Sequence, residues 1–416
     1  MTTDLTWIDT ALKSARPQAV AALLRYFRGD LDRAEEAFQE ACLRALQTWP
    51  EKGPPRDPAA WLIFVGRNSG VDAARRSLKH VALPDDDSLT TGEDVQDDMA
   101  ERLDGAQYRD DILRLLFICC HPDLPNTQQI ALALRIVSGL TVAEIASAFL
   151  VSESAMEQRI TRAKRRIAEA DIAFATPGAA DRAERLGVVA AMLYLLFNEG
   201  YSASGGDALI RQPLCAEAIR LARLLLRLFP SEPEILGLTA LMLLQHARAE
   251  ARLDAAGQIV LLDDQDRSRW DAGLIQEGLA LLDKAIRHQR PGPMQVQAAI
   301  AALHARAAKP EDTDWTQIVQ LYETLERMQP SPVVALNRAV AVSKAESPEA
   351  ALEMIEPLAP ALANYFYFFG VKGALLQQLG RDEDARVAFD RAIALARTPA
   401  EAAHIRQHLD KLSKSA

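Results

Sequence analysis

The sequence predicts an all-α protein, and three observations carry that expectation. Alanine, leucine, arginine and glutamate recur at three- and four-residue spacing along nearly the whole chain, the period of an amphipathic helix. Alternation of β-branched with polar residues, the mark of a half-buried strand, is nearly absent. Glycine and proline fall between the periodic segments. With 416 residues, 49% of them hydrophobic and 25% charged, the chain is expected to bury sizeable cores in two to four domains. Its longest apolar run, residues 188–197, is far shorter than the roughly 18 residues of a membrane span, so no membrane partner is expected. The opening MTTDLTWIDT lacks the basic-then-apolar order of a signal peptide, and Cys42, Cys119, Cys120 and Cys215 read as free thiols of a cytoplasmic protein.

Four sections follow in order. Residues 1–82 contain an acidic amphipathic helix from Leu31 to Thr48, a loop rich in proline and glycine, and a helix carrying Trp61, Arg67, Asn68, Asp72, Arg75 and Arg76. Trp61 and Phe64 read as the anchor of that helix, and the arginines as phosphate contacts. Residues 83–106 form an acidic linker, LPDDDSLTTGEDVQDDMAERLDG in its main part. It reads as a flexible, solvated spacer. Residues 107–175 form a compact basic module. The Thr176, Pro177, Gly178 loop then separates it from an extension over 181–416. The net charge of −10 is compatible with nucleic-acid binding because charge is segregated: basic at Arg75, Arg76 and Lys79 and from Arg159 to Arg166, acidic from Asp85 to Asp111.

The basic module holds the most informative segment, GLTVAEIASAFLVSESAMEQRITRAKRRI, from Gly139 to Ile167. Thr141 and Glu144 have the spacing of a reciprocal capping box, and Val142, Ile145 and Ala146 supply an inner face. Ser152 caps a second helix whose inner face is Ala155, Met156, the Arg159 stem, Ile160 and Ala163. Two short helices joined by an apolar turn read as a helix-turn-helix. Its outward residues after the Ser152 cap, Ser154, Glu157, Gln158 and Thr161, suit base edges, and Arg162, Lys164, Arg165 and Arg166 suit phosphates; an ordinary helical hairpin with a solvated basic face is the other reading.

The first section resembles region 2 of the extracytoplasmic-function (group IV) RNA polymerase sigma factors on Glu36, Gln39, Glu40, Trp61, Leu62, Arg67, Asn68, Asp72, Arg75 and Arg76. Gly139 to Ile167 resembles that family's region 4, and together the two resemblances cover about residues 10–170. They imply an alternative sigma factor with core RNA polymerase and promoter DNA as partners. Glu36, Gln39, Glu40 and Arg44 would dock on the clamp helices of the polymerase, and region 4 would sit by the flap. The loop from Trp49 to Pro58 and the residues Arg56, Arg67, Asn68, Arg75 and Arg76 would meet the −10 element. The helix-turn-helix would read the −35 element. Glu157 departs from the family, which mostly carries lysine there, and implies an unusual −35 sequence. A stand-alone helix-turn-helix regulator with a peptide-binding extension is the alternative, but it has no use for the Glu36 and Gln39 face.

The extension exceeds the minimal family. Gly373, Ala374, Leu379, Gly380, Ala385, Phe389, Ala392 and Ile393 resemble a tetratricopeptide (TPR) helix pair. Ala339, Ala350 and Leu352 precede Ala374, Ala385 and Val387 by 35 residues, close to that repeat's period. Earlier pairs are expected at Leu214–Leu244 and Gly278–Leu303, with Pro230, Pro291 and Pro330 between helices. A TPR-like solenoid is expected to regulate the sigma regions. LLFNEGY at 195–201 and LLDDQDRSRWD at 261–271 resemble the subgroup that carries such an extension. Asn198, Glu199, Tyr201, Asp266, Arg267, Arg269 and Trp270 read either as a surface for the sigma regions or a protein or small-molecule effector, or as caps and ion pairs. No cofactor, metal or enzymatic activity is expected: Cys119, Cys120 and His121 diverge by about 100° each around a helix and cannot share an ion.

Overall fold

The structure, a computed structural model, describes residues 6–53, 55–78, 105–121, 123–149, 151–169, 179–201, 212–254, 258–396 and 399–415. Among these residues the named elements are all helical, with one isolated antiparallel bridge between Leu253 and Ile259. No helix of the described residues is long and apolar enough to cross a membrane. The chain divides into two compact units, 1–195 and 196–416. That division lies inside a helix, Ala179–Tyr201, rather than at the Thr176 loop, which is outside the described residues.

The first unit begins with three mutually packed helices, α1 (Thr6–Tyr26), α2 (Leu31–Lys52) and α3 (Pro58–Leu78). Asp30 caps α2, its carboxylate accepting from the Arg33 amide at 3.0 Å. Leu31, Ala34, Ala37, Phe38, Ala41, Ala45 and Trp49 give α2 its buried stripe. The helix was expected to stop at Thr48 and instead continues for another turn. Trp49 is the reason: its ring stacks on Trp7 at 6.2 Å and meets Trp61 edge-on at 5.3 Å, while Pro50 faces solvent. Gly53, at φ +81°, ends it.

The second group comprises α4 (Gly105–Cys119), α5 (Asn126–Ala133) with a π turn at Leu134–Ser138, α6 (Val142–Phe149) and α7 (Glu153–Glu169). The acidic linker therefore ends at Gly105, where α4 starts, and residues 79–104 lie outside the described residues. Gly139 closes the π turn in the left-handed region, at φ +75°. Cys119 and Cys120 are fully buried, and burial pushes both thiols far above their ordinary range.

Helix α8 (Ala179–Tyr201) leads to the extension: α9 (Gln212–Leu228), α10 (Pro233–His246), α11 (Ala272–Arg287), α12 (Pro293–Arg306), α13 (Trp315–Met328), α14 (Pro332–Ala345), α15 (Pro348–Ile355), α16 (Phe366–Gln378), α17 (Asp382–Leu395) and α18 (Pro399–Ser415). From α9 to α18 most helices pack chiefly on their neighbours in sequence, while α12 packs more on α10 than on either of its own neighbours, as stacked helix pairs do. Helices α14 and α16 begin 34 residues apart, at Pro332 and Phe366, and α15 and α17 likewise, at Pro348 and Asp382. The correspondence is imperfect in packing, since Leu352 is buried and Val387 is exposed. Between α10 and α11 the described residues hold three short 3-10 turns, Ala249–Ala251, Leu262–Asp264 and Arg267–Arg269, in place of a repeat.

A Cβ on Gly373 would lie 2.5 Å from the buried Phe389 ring, so α16 and α17 approach through that glycine. Gly373→Ala is expected to destabilise the chain by about 1–3 kcal/mol, measured by denaturant unfolding; an unchanged midpoint refutes the close approach. His304, on α12, lies 5.2 Å edge-on from the Trp315 ring, and burial beside Arg248 and Arg267 lowers its imidazole to about 4. The unfolded chain gains a proton below about pH 6.5 that the folded chain refuses until about pH 4. Stability should therefore fall by up to about 3 kcal/mol as pH drops through that window, and His304→Gln should flatten the fall in a thermal-denaturation series.

Candidate nucleic-acid interface

The helix-turn-helix forms from local signals. The Thr141 amide and hydroxyl both donate to Glu144 Oε2, at 2.7 and 2.8 Å, and the Glu144 amide donates to Thr141 Oγ1 at 3.1 Å. These contacts hold the Glu144 carboxyl below its usual range. Ser152 Oγ accepts from the Ala155 amide at 3.3 Å and starts α7. Met156, Ile160, Ala163 and Ile167 are buried at i, i+4, i+7 and i+11, so one stripe of α7 packs inward. Ser152, Ser154, Glu157, Gln158, Thr161, Arg162, Arg165 and Arg166 are exposed, a continuous polar surface with hydrogen-bonding groups at its N-terminal end and guanidinium groups at its C-terminal end.

Lys164 departs from that surface. Its ammonium is turned toward α2, 2.8 Å from Asp32 Oδ1 and 2.5 Å from Glu35 Oε2. Burial alone would lower this amine, and the bonds from the two carboxylates outweigh that and raise it. Glu35 is itself buried, and its other oxygen faces Arg16 at 3.3 Å and Arg135 at 3.9 Å. Arg16 continues across to the π turn, donating to the Ile136 and Arg135 carbonyls at 2.9 and 3.1 Å. A Cβ on Gly139 would lie 2.7 Å from the Arg16 stem, so the same glycine admits the arginine.

On α2, Glu36 and Gln39 are exposed and Glu40 and Arg44 are half-buried. Two residues not singled out by sequence, Leu43 at 61% exposure and Leu46 at 48%, complete a stripe with Glu36, Gln39 and Glu40 at helical spacing. These leucines stand exposed on an otherwise polar face. In the loop before α3, Asp57 Oδ1 accepts from the Ala59 and Ala60 amides at 2.9 and 3.0 Å, and Arg56 is exposed. Trp61 is half-buried in the tryptophan cluster and serves as an anchor. Arg67 lies 4.5 Å over the Tyr26 ring, which presents it at the surface, beside half-buried Asn68. Arg75 and Arg76 are on α3, and their side chains lie outside the described residues.

In the second unit, Tyr201, Arg267 and Trp270 come together with Arg248 and Arg252, which sequence did not single out. Arg252 sits 3.6 Å over the Tyr201 ring and donates to the Tyr201 carbonyl; Arg248 donates to the Tyr201 hydroxyl at 2.8 Å. The Trp270 ring lies between Arg248 at 5.9 Å and Arg267 at 4.9 Å. Arg267 donates to the His304 and Ala307 carbonyls at 2.7 and 2.5 Å, closing the C-terminal end of α12. Asp266 caps the Ser268 amide, and Asp271 caps Leu274 at the start of α11. Arg269 is exposed, and Asn198 and Glu199 are half-buried. The motif residues thus include caps and a cation–π stack as well as surface groups. Among the described residues no group of three or more His, Cys, Asp or Glu side chains is placed to hold a metal ion.

Parts of the chain match known protein families. Residues 13–79 match sigma-70 region 2, and residues 114–167 match sigma-70 region 4. Residues 185–286 match a family of unknown function (DUF6596). An uncharacterized protein of Rhizobium meliloti is 67% identical over 411 residues, covering 99% of this chain and 97% of that protein. The two matched regions coincide with the α1–α3 bundle and the helix-turn-helix module, in that order, and on this ground the chain belongs to the sigma-70 family of sigma factors, which bind core RNA polymerase and recognise promoter DNA to initiate transcription.

Proposed function

We propose that the chain is a cytoplasmic, extracytoplasmic-function-type alternative sigma factor whose fused TPR-like domain sets its activity. The observation that carries this reading is the α2 stripe: Leu43 and Leu46 exposed beside Glu36 and Gln39, in the same chain as a capped helix-turn-helix. A regulator acting alone on duplex DNA needs the second feature and not the first. On this reading α2 docks on the clamp helices through that stripe, with Glu40 and Arg44 at its margin. The loop at 53–57 and the face carrying Arg56, Arg67, Asn68, Arg75 and Arg76 take the −10 element. A loop set on a helical bundle is suited to hold an unstacked base, whose extraction costs a few kcal/mol.

The −35 element falls to α7, docked by the flap. Ser154, Glu157, Gln158 and Thr161 face base edges, and Ser152, Arg162, Arg165 and Arg166 face phosphates. Glu157 accepts hydrogen bonds and cannot donate them, so it favours a cytosine amino group. In the extension, the Tyr201 and Trp270 assembly braces the domain, and Arg269, Asn198 and Glu199 offer surface for a protein or small-molecule regulator.

Incubating the purified chain with core polymerase and genomic DNA, then mapping transcript starts, tests the reading; absence of promoter-specific starts defeats it. Leu43→Arg with Leu46→Arg should weaken core polymerase binding at least tenfold, since charge on an apolar contact is left desolvated, with unchanged helical circular dichroism. Glu157→Ala should relax discrimination at a single −35 base pair by about 1–3 kcal/mol, read by competition among duplexes carrying each base at that position.

A further inference from the structure

The insert between α10 and α11 interrupts the stack of the extension, and its contacts reach far beyond the two helices it joins. Helices α14 with α15 and α16 with α17 are the pairs whose starts repeat after 34 residues. Counted outward from them, α8, α10, α12, α14, α16 and α18 are the first helices of successive pairs. They form a row: α10 packs on α12, α14 on α16 and α16 on α18. The insert is laid on that row. Arg248 donates to the Tyr201 hydroxyl at the end of α8, and Arg267 to the His304 carbonyl of α12. Asp263 lies 2.8 Å from the Lys344 ammonium on α14, and Gln258 accepts from the Gln407 side-chain amide on α18 at 2.5 Å. Where the insert returns, the Asp271 amide donates to the Ala247 carbonyl beside the end of α10. Its partners therefore run from the first helix of that row to the last.

A solenoid offers an extended surface to its partners, and the insert has the form of such a partner. Its backbone is extended at Leu261, Gln265 and Trp270, with single 3-10 turns between them. We infer that the insert is a built-in ligand of the solenoid, seated on the row of first helices, and that a peptide partner of the extension enters by displacing it. Such a partner carries the insert's own chemistry: an extended stretch with a carboxylate for Lys344 and a guanidinium for the carbonyls at the end of α12. Tied at both ends, the insert faces the row at an effective concentration on the order of millimolar. A free peptide making equal contacts at micromolar concentration stays out until the insert is loosened. The inference concerns the extension and stands or falls apart from the sigma-factor reading.

A fluorescent peptide of residues 258–271 tests this by anisotropy on the full-length chain. The unaltered chain should leave the peptide free at micromolar concentration. A chain carrying Asp263→Ala and Arg267→Ala, its insert loosened and the row intact, should bind it at least tenfold more tightly. The same two substitutions placed in the peptide should abolish that gain. Equal binding by the two chains, or equal binding of the two peptides by the altered chain, overturns the inference. Arg267 also closes α12, so a second measurement spares it. Lys344→Ala should speed amide hydrogen exchange across residues 258–265 about two- to fivefold, the range of an exposed ion pair, whereas Lys284→Ala, on α11, should not. Exchange unmoved by Lys344→Ala overturns the inference as well.

Discussion

A carboxylate cannot be buried alone, and in the first unit that constraint falls on Glu35. It sits at 5% exposure on the inner stripe of α2, where removal from water costs several kcal/mol unless cations and hydrogen bonds offset it. The offset comes from three other elements: Arg16 on α1, Arg135 on the π turn and Lys164 on α7. Each has obligations of its own. Arg16 lies 4.9 Å over the Phe38 ring and caps two backbone carbonyls; burial pulls its guanidinium down and Glu35 opposes that. The placement of the helix-turn-helix against α1 and α2 therefore follows from one acidic residue. An apolar residue at that position would bury more easily and specify less.

What sequence could and could not reveal divides along the distance between partners. The Thr141 and Glu144 capping box, the Ser152 cap and the inner stripe of α7 depend on neighbours three or four residues away, and the pattern exposes them directly. The end of α2 was misplaced because the partners of Trp49 are Trp7 and Trp61, on other helices. Lys164 was grouped with Arg162, Arg165 and Arg166, since nothing local distinguishes a lysine bound for Asp32, more than a hundred residues earlier, from one facing solvent. A signal did exist for Glu35: it follows Leu31 by four residues and lies in register with the apolar stripe, where a charge demands a partner. Leu43 and Leu46 were hidden for the opposite reason, because leucine on a helix reads as core unless the inner face is already filled.

The extension shows how distant side chains stand in for missing local caps. Carbonyls at the C-terminal ends of helices α8 and α12 are met by Arg252 and Arg267, which lie between α10 and α11. Cations at helix C-termini also suit the macrodipole, which helps Arg248, Arg252 and Arg267 sit together around Tyr201 and Trp270. The part of the extension that departs from a repeat is thus the part that fastens the ends of α8 and α12. It falls within the stretch shared with the family of unknown function, and α14 to α17, with the 34-residue spacing, lie beyond it.

The tryptophans have a spectroscopic consequence. Three of the five, Trp7, Trp49 and Trp61, form one cluster at the base of the loop ahead of α3, and the other two, Trp270 and Trp315, lie in the second unit beside arginine and histidine. Indoles packed within a few ångströms exchange excitation before they emit, so the first cluster behaves as a single chromophore whose colour and anisotropy follow the solvation of that loop. The molecule carries an intrinsic optical label at the base of the loop ahead of α3 and a separate one in the extension, and both can be followed without attaching a dye.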